Sequence, residues 1–244
     1  MKIIKMISKN SLYKVDPTFF DKEILLPTSK SHSNRALVIG AIRGNGFEVR
    51  NLSESTDVTT LLNCLKKVGL RITQSNDSVV FNNSFPLCES ETSGNIIDLK
   101  TGDGGTTNRF LLALLSQGNK TYRFFPSEKM SERPMDDLLN PLKKLNVEIH
   151  QNIDTAWLSL KGPAFIDENS RLEVDCKNST QFASALMLAF SNTPLSFDLK
   201  NVYASETYVK MTEYVLEETK NKNTYTVPVD FSSLSYPLAL ALIK

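Results

Sequence analysis

An α/β (α+β) domain of three pseudo-symmetric units with buried helices is predicted by three observations. An all-round apolar helix signature recurs at a near-constant interval, an amphipathic helix signature recurs with it, and short alternating strand candidates fill the gaps. The first series comprises "SNRALVIGAI" from Ser33, "TNRFLLALLS" from Thr107, 74 residues later, and "TQFASALMLAF" from Thr180, 73 residues further on. Each opens on a Ser/Thr cap candidate, continues through one or two polar residues, and then runs apolar on nearly every face. A helix without a polar face is expected in the interior.

The second series comprises "TTLLNCLKKVGLRI" from Thr59 and "DDLLNPLKKLNVEI" from Asp136, 77 residues later. The two share LLN, a gap, and LKK. Both read as amphipathic helices with basic last turns, each followed by a short alternating strand. "SETYVKMTEYVLEETK" from Ser205 is a more divergent third member. Pro134 suits the first turn of the second member. Pro141 falls inside it and predicts a kink or break there. Strand candidates are "FEVRNL", "RITQS", "SVVFNN", "NIIDLK", "TYRFFP", "WLSLKG", "RLEVDC" and "LSFDLK".

Composition narrows the classes of function. The 244 residues are 41% hydrophobic and 23% charged, with a net charge of +1, an ordinary globular balance for one large domain or two small ones. Nothing in it points to nucleic acid or to a membrane as partner. "MKIIKMISKNSLYKVD" lacks a long apolar core, and no apolar run reaches transmembrane length, so a cytoplasmic chain is expected. Cys64, Cys88 and Cys176 form no CxxC pair and read as reduced thiols. His32 and His150 are far apart, which argues against a metal site. There is no phosphate-binding GxxxxGK[ST], and in "TGDGGTT" Thr107 stands where a dinucleotide fingerprint needs glycine.

The chemistry-bearing signal is basic residues at helix starts. Helix N-termini favour Asp and Glu, yet Lys30 and Arg35 frame the start of the first apolar helix, Arg109 repeats Arg35, and Arg133 immediately precedes Pro134. These positions make sense if an anion is bound between the cations and bare backbone N–H groups. Packing of the three units around a common axis would bring those N-termini together.

Six segments resemble one family in its own order: "LPTSKSHSNRAL", "TGDGGTTNRFL", "SERPMDDLLNPLKKL", "NSTQFASALMLAF", "SETYVKMT" and "VDFSSLSYPLALALI". They resemble the motifs of the 5-enolpyruvylshikimate-3-phosphate synthase family (3-phosphoshikimate 1-carboxyvinyltransferase) over residues 20 to 244. The resemblance implies an enolpyruvyl transferase-like domain of βαβαββ units. It also implies transfer of the enolpyruvyl group of phosphoenolpyruvate to the 5-hydroxyl of shikimate 3-phosphate, by addition and then elimination of phosphate, without metal or organic cofactor.

The same resemblance assigns roles by position. Lys30 would be catalytic and contact both substrates. Ser31 and Arg35 would bind shikimate 3-phosphate, Ser179 and Thr180 would hold its phosphate, Gln181 would lie against its ring, and Ser205 and Tyr208 would complete that site. Gly105 and Arg133 would line the phosphoenolpyruvate site with Asp103 nearby. Arg109 would be mainly structural, and Asp230 would mark the crossing into another domain.

Departures from the family pattern accompany these matches. Thr28 and Gly104 replace a usual Gly and Ala. Asp103 replaces a usual Asn and adds charge that should weaken binding of an anion unless it is paired or protonated. The segment "EETKNKNTYTVPVD" is shorter than usual, which predicts the loss of a strand.

The family is also much longer, and its second half supplies the catalytic Asp and Glu. The chain is therefore expected to provide the shikimate-3-phosphate-binding domain over 20–228, with repeats near 20–95, 96–165 and 166–228. Residues 1–19 and 229–244 are read as parts of a second domain. On this reading the chain has no useful turnover alone and a complementary C-terminal half is a candidate partner. Other readings of the same residues are a non-catalytic phosphosugar-binding module, a UDP-N-acetylglucosamine enolpyruvyl transferase-like protein, and an interaction protein that docks through its apolar C-terminal segment.

Overall fold

A computed structural model describes residues 5–8, 11–14, 25–87, 94–153, 155–203 and 206–242; Cys88 and Ser205 lie outside the described residues. The chain opens with an antiparallel hairpin of β1 (Lys5–Ser8) and β2 (Ser11–Lys14). Then come α1 (Lys30–Arg43), β3 (Phe47–Arg50), α2 (Thr56–Lys67), β4 (Ile72–Ser75) and β5 (Ser78–Phe81). A second run follows: β6 (Ile96–Gly102), α3 (Gly105–Leu115), β7 (Thr121–Pro126), the single turn α4 (Glu128–Ser131), α5 (Asp136–Lys144), β8 (Glu148–Ile153) and β9 (Ala156–Lys161). The third comprises β10 (Arg171–Asp175), α6 (Gln181–Ala189), β11 (Ser196–Lys200) and α7 (Glu206–Thr219). The short strand β12 (Thr224–Thr226), a 3-10 turn (Phe231–Leu234) and α8 (Ser235–Leu242) complete the described elements.

All eight strand candidates are strands, and the two series of helices occupy different layers. The apolar helices α1, α3 and α6 form the centre: α3 packs on α6, and α1 packs on both. In α3 every residue except Thr106 is buried. The amphipathic helices α2, α5 and α7 lie outside them and bridge successive units. Helix α2 touches α1, α3 and β6; α5 touches α3, α6 and β10; α7 touches α6, α1 and β12. Each outer helix thus packs on the buried helix of its own unit, the buried helix of the next, and the next unit's leading strand. For α7 the next unit is the first, so the arrangement closes on itself with β12 in the leading-strand position.

The sheets agree. The order β12-β3-β5-β4 matches β6-β7-β9-β8, each with one parallel pair followed by two antiparallel ones. The third sheet, among the described residues, stops at the parallel pair β10-β11. The short segment after α7 thus supplies β12 to the first sheet rather than a hairpin to its own.

Three local expectations need correction. Helix α1 begins at Lys30, not near Ser33, because the Ser29 side chain accepts from the His32 N–H and caps it there. Ser33 is inside the helix, where its hydroxyl donates to the Ser29 carbonyl and accepts from the Ser53 N–H. Helix α3 is likewise capped by Gly104 rather than a hydroxyl. Helix α5 runs unbroken through Pro141, which is buried at its sixth position. Cys64 and Cys176 are free and buried. No helix of the described residues is long and apolar enough to cross a membrane.

Gly40 marks how closely α1 approaches the first sheet. A Cβ there would lie 2.4 Å from Cε2 of Phe81, whose ring is fully buried. Gly40→Ala is expected to cost about 1–3 kcal/mol, read as a lower urea midpoint at unchanged slope. Adding Phe81→Leu should return part of the loss.

Candidate functional site

The starts of α1, α2 and α3 meet at one edge of the buried helix layer. Lys30, the first residue of α1, carries its ammonium 3.0 Å from Asp57, in the first turn of α2. Asp57 accounts for a cation at a helix start: it offsets the Lys30 charge and serves its own helix dipole. The Asp57 backbone carbonyl accepts from the Thr107 hydroxyl at 3.1 Å, which ties α2 to α3. Sequence reasoning missed Asp57; its signal was an acidic residue in the first turn of an amphipathic helix.

Gly105 opens α3, and its missing side chain leaves room for three functional groups. A Cβ there would lie 2.8 Å from Nη1 of Arg133, 3.1 Å from Nη1 of Arg109 and 3.5 Å from Oε1 of Gln181. Gln181 is the first residue of α6, so this point joins the starts of α3 and α6 with the loop before α5. Arg109 donates to Gln181 Oε1 and stacks its guanidinium 4.7 Å from the centre of the Phe182 ring. Burial, and then the neighbouring Arg133 charge, pull the Arg109 guanidinium down to about 10. Among the described residues neither arginine has a carboxylate partner. The Arg133 guanidinium, beside the α3 N-terminus and without a counter-charge, can hold an oxyanion.

Arg35 lies elsewhere than a surface ligand would. It is 2% exposed and makes four hydrogen bonds within the protein. Nε donates to Thr212 Oγ1 (2.8 Å), Nη1 to the Ser31 carbonyl (3.0 Å), and Nη2 to Ser184 Oγ (3.2 Å) and the Tyr208 carbonyl (3.1 Å). Burial lowers it to about 10, opposed by Tyr208 and Tyr225. Arg35 therefore joins α1, α6 and α7, while its sequence counterpart Arg109 lies beside Gln181 and Arg133. Tyr208 is exposed, Ser31 and Ser179 are half-buried, and Thr180 is buried. The Ser179 hydroxyl accepts from the Gln181 N–H at 3.2 Å. Asp103 is exposed between β6 and α3, with no cation paired to it among the described residues. Thr28 and Val229 form a bridge. Asp230 receives N–H of Ser232 at 3.0 Å and so caps the following turn.

Comparison with known proteins gives this geometry a family. The family profile described as EPSP synthase (3-phosphoshikimate 1-carboxyvinyltransferase) matches residues 16–222. The chain belongs to the EPSP synthase family. A curated relative from Sulfurovum sp., named 3-phosphoshikimate 1-carboxyvinyltransferase, is 30% identical over 260 residues, covering 96% of this chain and 60% of the relative. One of the same name from Aliivibrio salmonicida is 30% identical over 250 residues, covering 92% and 58%. The chain thus spans about three-fifths of the length of these relatives. The solved EPSP synthase from Acinetobacter baumannii has the same fold, with a TM-score of 0.57 and 22% identity over 68% of this chain and 37% of that one.

Two tests probe the site itself. Gly105→Ala crowds only the far ends of the Arg133 and Arg109 side chains, so the chain should fold, with stability within about 0.5 kcal/mol of the parent. The displaced guanidinium should weaken binding of an oxyanion, with inorganic phosphate as the probe, by about tenfold or more, read by calorimetry.

His32 is the second probe. Its Nδ1 lies 2.7 Å from the Tyr225 hydroxyl, and burial, then Arg35, lower its pKa against an opposing effect of Asp230. The unfolded chain, with an imidazole near 6.5, therefore binds more protons as pH falls below that value. This contribution is whole above the unfolded value and is lost on acidification through the folded one. Urea midpoints between pH 7.5 and 5.5 are expected to fall more for the parent than for His32→Gln.

Proposed function

We propose that this chain supplies the shikimate-3-phosphate half-site of an enolpyruvyl transfer from phosphoenolpyruvate to the 5-hydroxyl of shikimate 3-phosphate. The observation that carries the reading is the meeting of Arg109, Arg133 and Gln181 around Gly105, with Lys30 paired to Asp57, whose carboxyl lies beside Gly104 at the same helix start. Both ligands are polyanions, so charge-assisted hydrogen bonds from Lys and Arg suit them. Lys30 is the group proposed to stand between the two substrates. Gly105 and Arg133 would take phosphoenolpyruvate. Ser31, Ser179, Thr180, Gln181, Ser205 and Tyr208 would take the sugar phosphate, and Arg35 would hold the helices that carry them. Residues 20–228 are proposed as the binding domain, with the chain beyond Asp230 belonging to a second domain. A separate C-terminal half is the proposed partner for turnover, because the family's acid and base residues lie there.

Calorimetric titration with shikimate 3-phosphate, alongside unphosphorylated shikimate, tests the reading. Saturable binding that requires the phosphate is expected, together with loss of at least tenfold on Lys30→Ala. No binding by a chain with a cooperative melting transition would reject the half-site. Product formed by this chain alone would reject the need for a partner.

A further inference from the structure

Arg109 is 7% exposed, its Nε is buried without a partner, and no carboxylate lies within ion-pair range among the described residues. What orders it is the Phe182 ring beneath it and the one hydrogen bond from Nη1 to Gln181 Oε1. A guanidinium has only donors, so whatever side-chain amide it meets must turn its oxygen inward. Gln181 Nε2 is then left over, and among the described residues it has no acceptor. Gln181 itself is half-buried, with Oε1 3.5 Å from where a Gly105 Cβ would lie and the Arg133 guanidinium on the same point.

We propose that Arg109 is a positioning residue that fixes the amide of Gln181, so that the side chain offers its N–H groups, and never its oxygen, to the bound ligand. The inference rests on the proposed function and deepens it: the ligand must present an acceptor oxygen to Gln181. Arg109 sets this preference without touching the ligand. Without Arg109 the amide can turn over, and half its orientations then offer an oxygen to an oxygen-rich anion. The arginine also explains why a cation is kept in a nearly dry position beside Arg133, where its own charge is disfavoured.

A double-mutant cycle on shikimate 3-phosphate affinity decides it, using calorimetry on the full chain with Arg109→Met, Gln181→Ala and both together. Arg109→Met is expected to weaken binding by about tenfold in the parent and by less than twofold in the Gln181→Ala background. Arg109→Lys, which keeps a donor, should recover part of the loss. Equal weakening in both backgrounds would assign Arg109 a purely structural or direct electrostatic role and overturn the inference, as would no weakening at all. If Arg109→Met lacks a cooperative melt, the cycle is run with Arg109→Lys, where about threefold weakening confined to the Gln181 background is expected. A folded parent that does not bind shikimate 3-phosphate overturns the functional reading itself, which is a different result from a parent that binds and a cycle that shows no coupling.

Discussion

The buried guanidinium of Arg35 is the fastening on which the helix layer depends. It is a charge with almost no access to water and, among the described residues, no carboxylate to answer it, so its hydrogen bonds must replace its hydration. Those bonds come from three helices of two units: Ser31 on α1, Ser184 on α6, and Tyr208 and Thr212 on α7. Thr212 Oγ1 lies 2.9 Å from both Ser184 Oγ and the Tyr208 carbonyl, so its hydroxyl is held by the network it completes. The Phe110 ring of α3 closes the remaining side, 5.5 Å from the guanidinium carbon. The helix starts can meet because this group pins all three central helices and one outer helix at a common depth.

The repeat explains why two sequence-equivalent arginines do different work. Arg35 and Arg109 occupy the same place in their helices. Arg35 faces hydroxyls and carbonyls on α6 and α7. Arg109 faces Gln181, Phe182 and a second arginine. The neighbouring unit, not the helix itself, decides whether the guanidinium is satisfied or left with unused donors. Near-symmetry therefore yields one fastening and one edge of unanswered positive charge from the same local sequence.

Much of the architecture is legible in the chain. The all-round apolar runs identify α1, α3 and α6 as interior, and LLN-LKK identifies α2 and α5 as a bridging pair, because burial and amphipathicity are local properties of a helix. Lys30, Gly105, Arg133 and Gln181 are legible as candidates, and of these the structure brings Gly105, Arg133 and Gln181 together. The satisfaction of Arg35 was not, since Thr212 and Ser184 are 177 and 149 residues away and nothing in "SNRAL" specifies them. Asp57 was hidden for the same reason. Strand β12 was read as part of a connection because three residues, "TYT", carry no period to detect; its strand character comes from pairing with β3.

That pairing has a consequence for how the molecule assembles during synthesis. The β12 strand lies parallel to β3, and the Asn51 side chain reaches the Val227 carbonyl across a separation of 176 residues. Just beyond it, Ser29 donates to Pro228 and Asp230 donates to Pro27, so the segment before α1 is zipped to the segment after β12. The middle sheet, by contrast, draws its strands from a single run of the chain. A nascent polypeptide can therefore finish its second sheet while the first still lacks an edge strand and α1 still lacks α7. Loop closure over that span delays the contact until nearly the whole described chain has left the ribosome. The earliest unit to emerge is thus among the last to be completed.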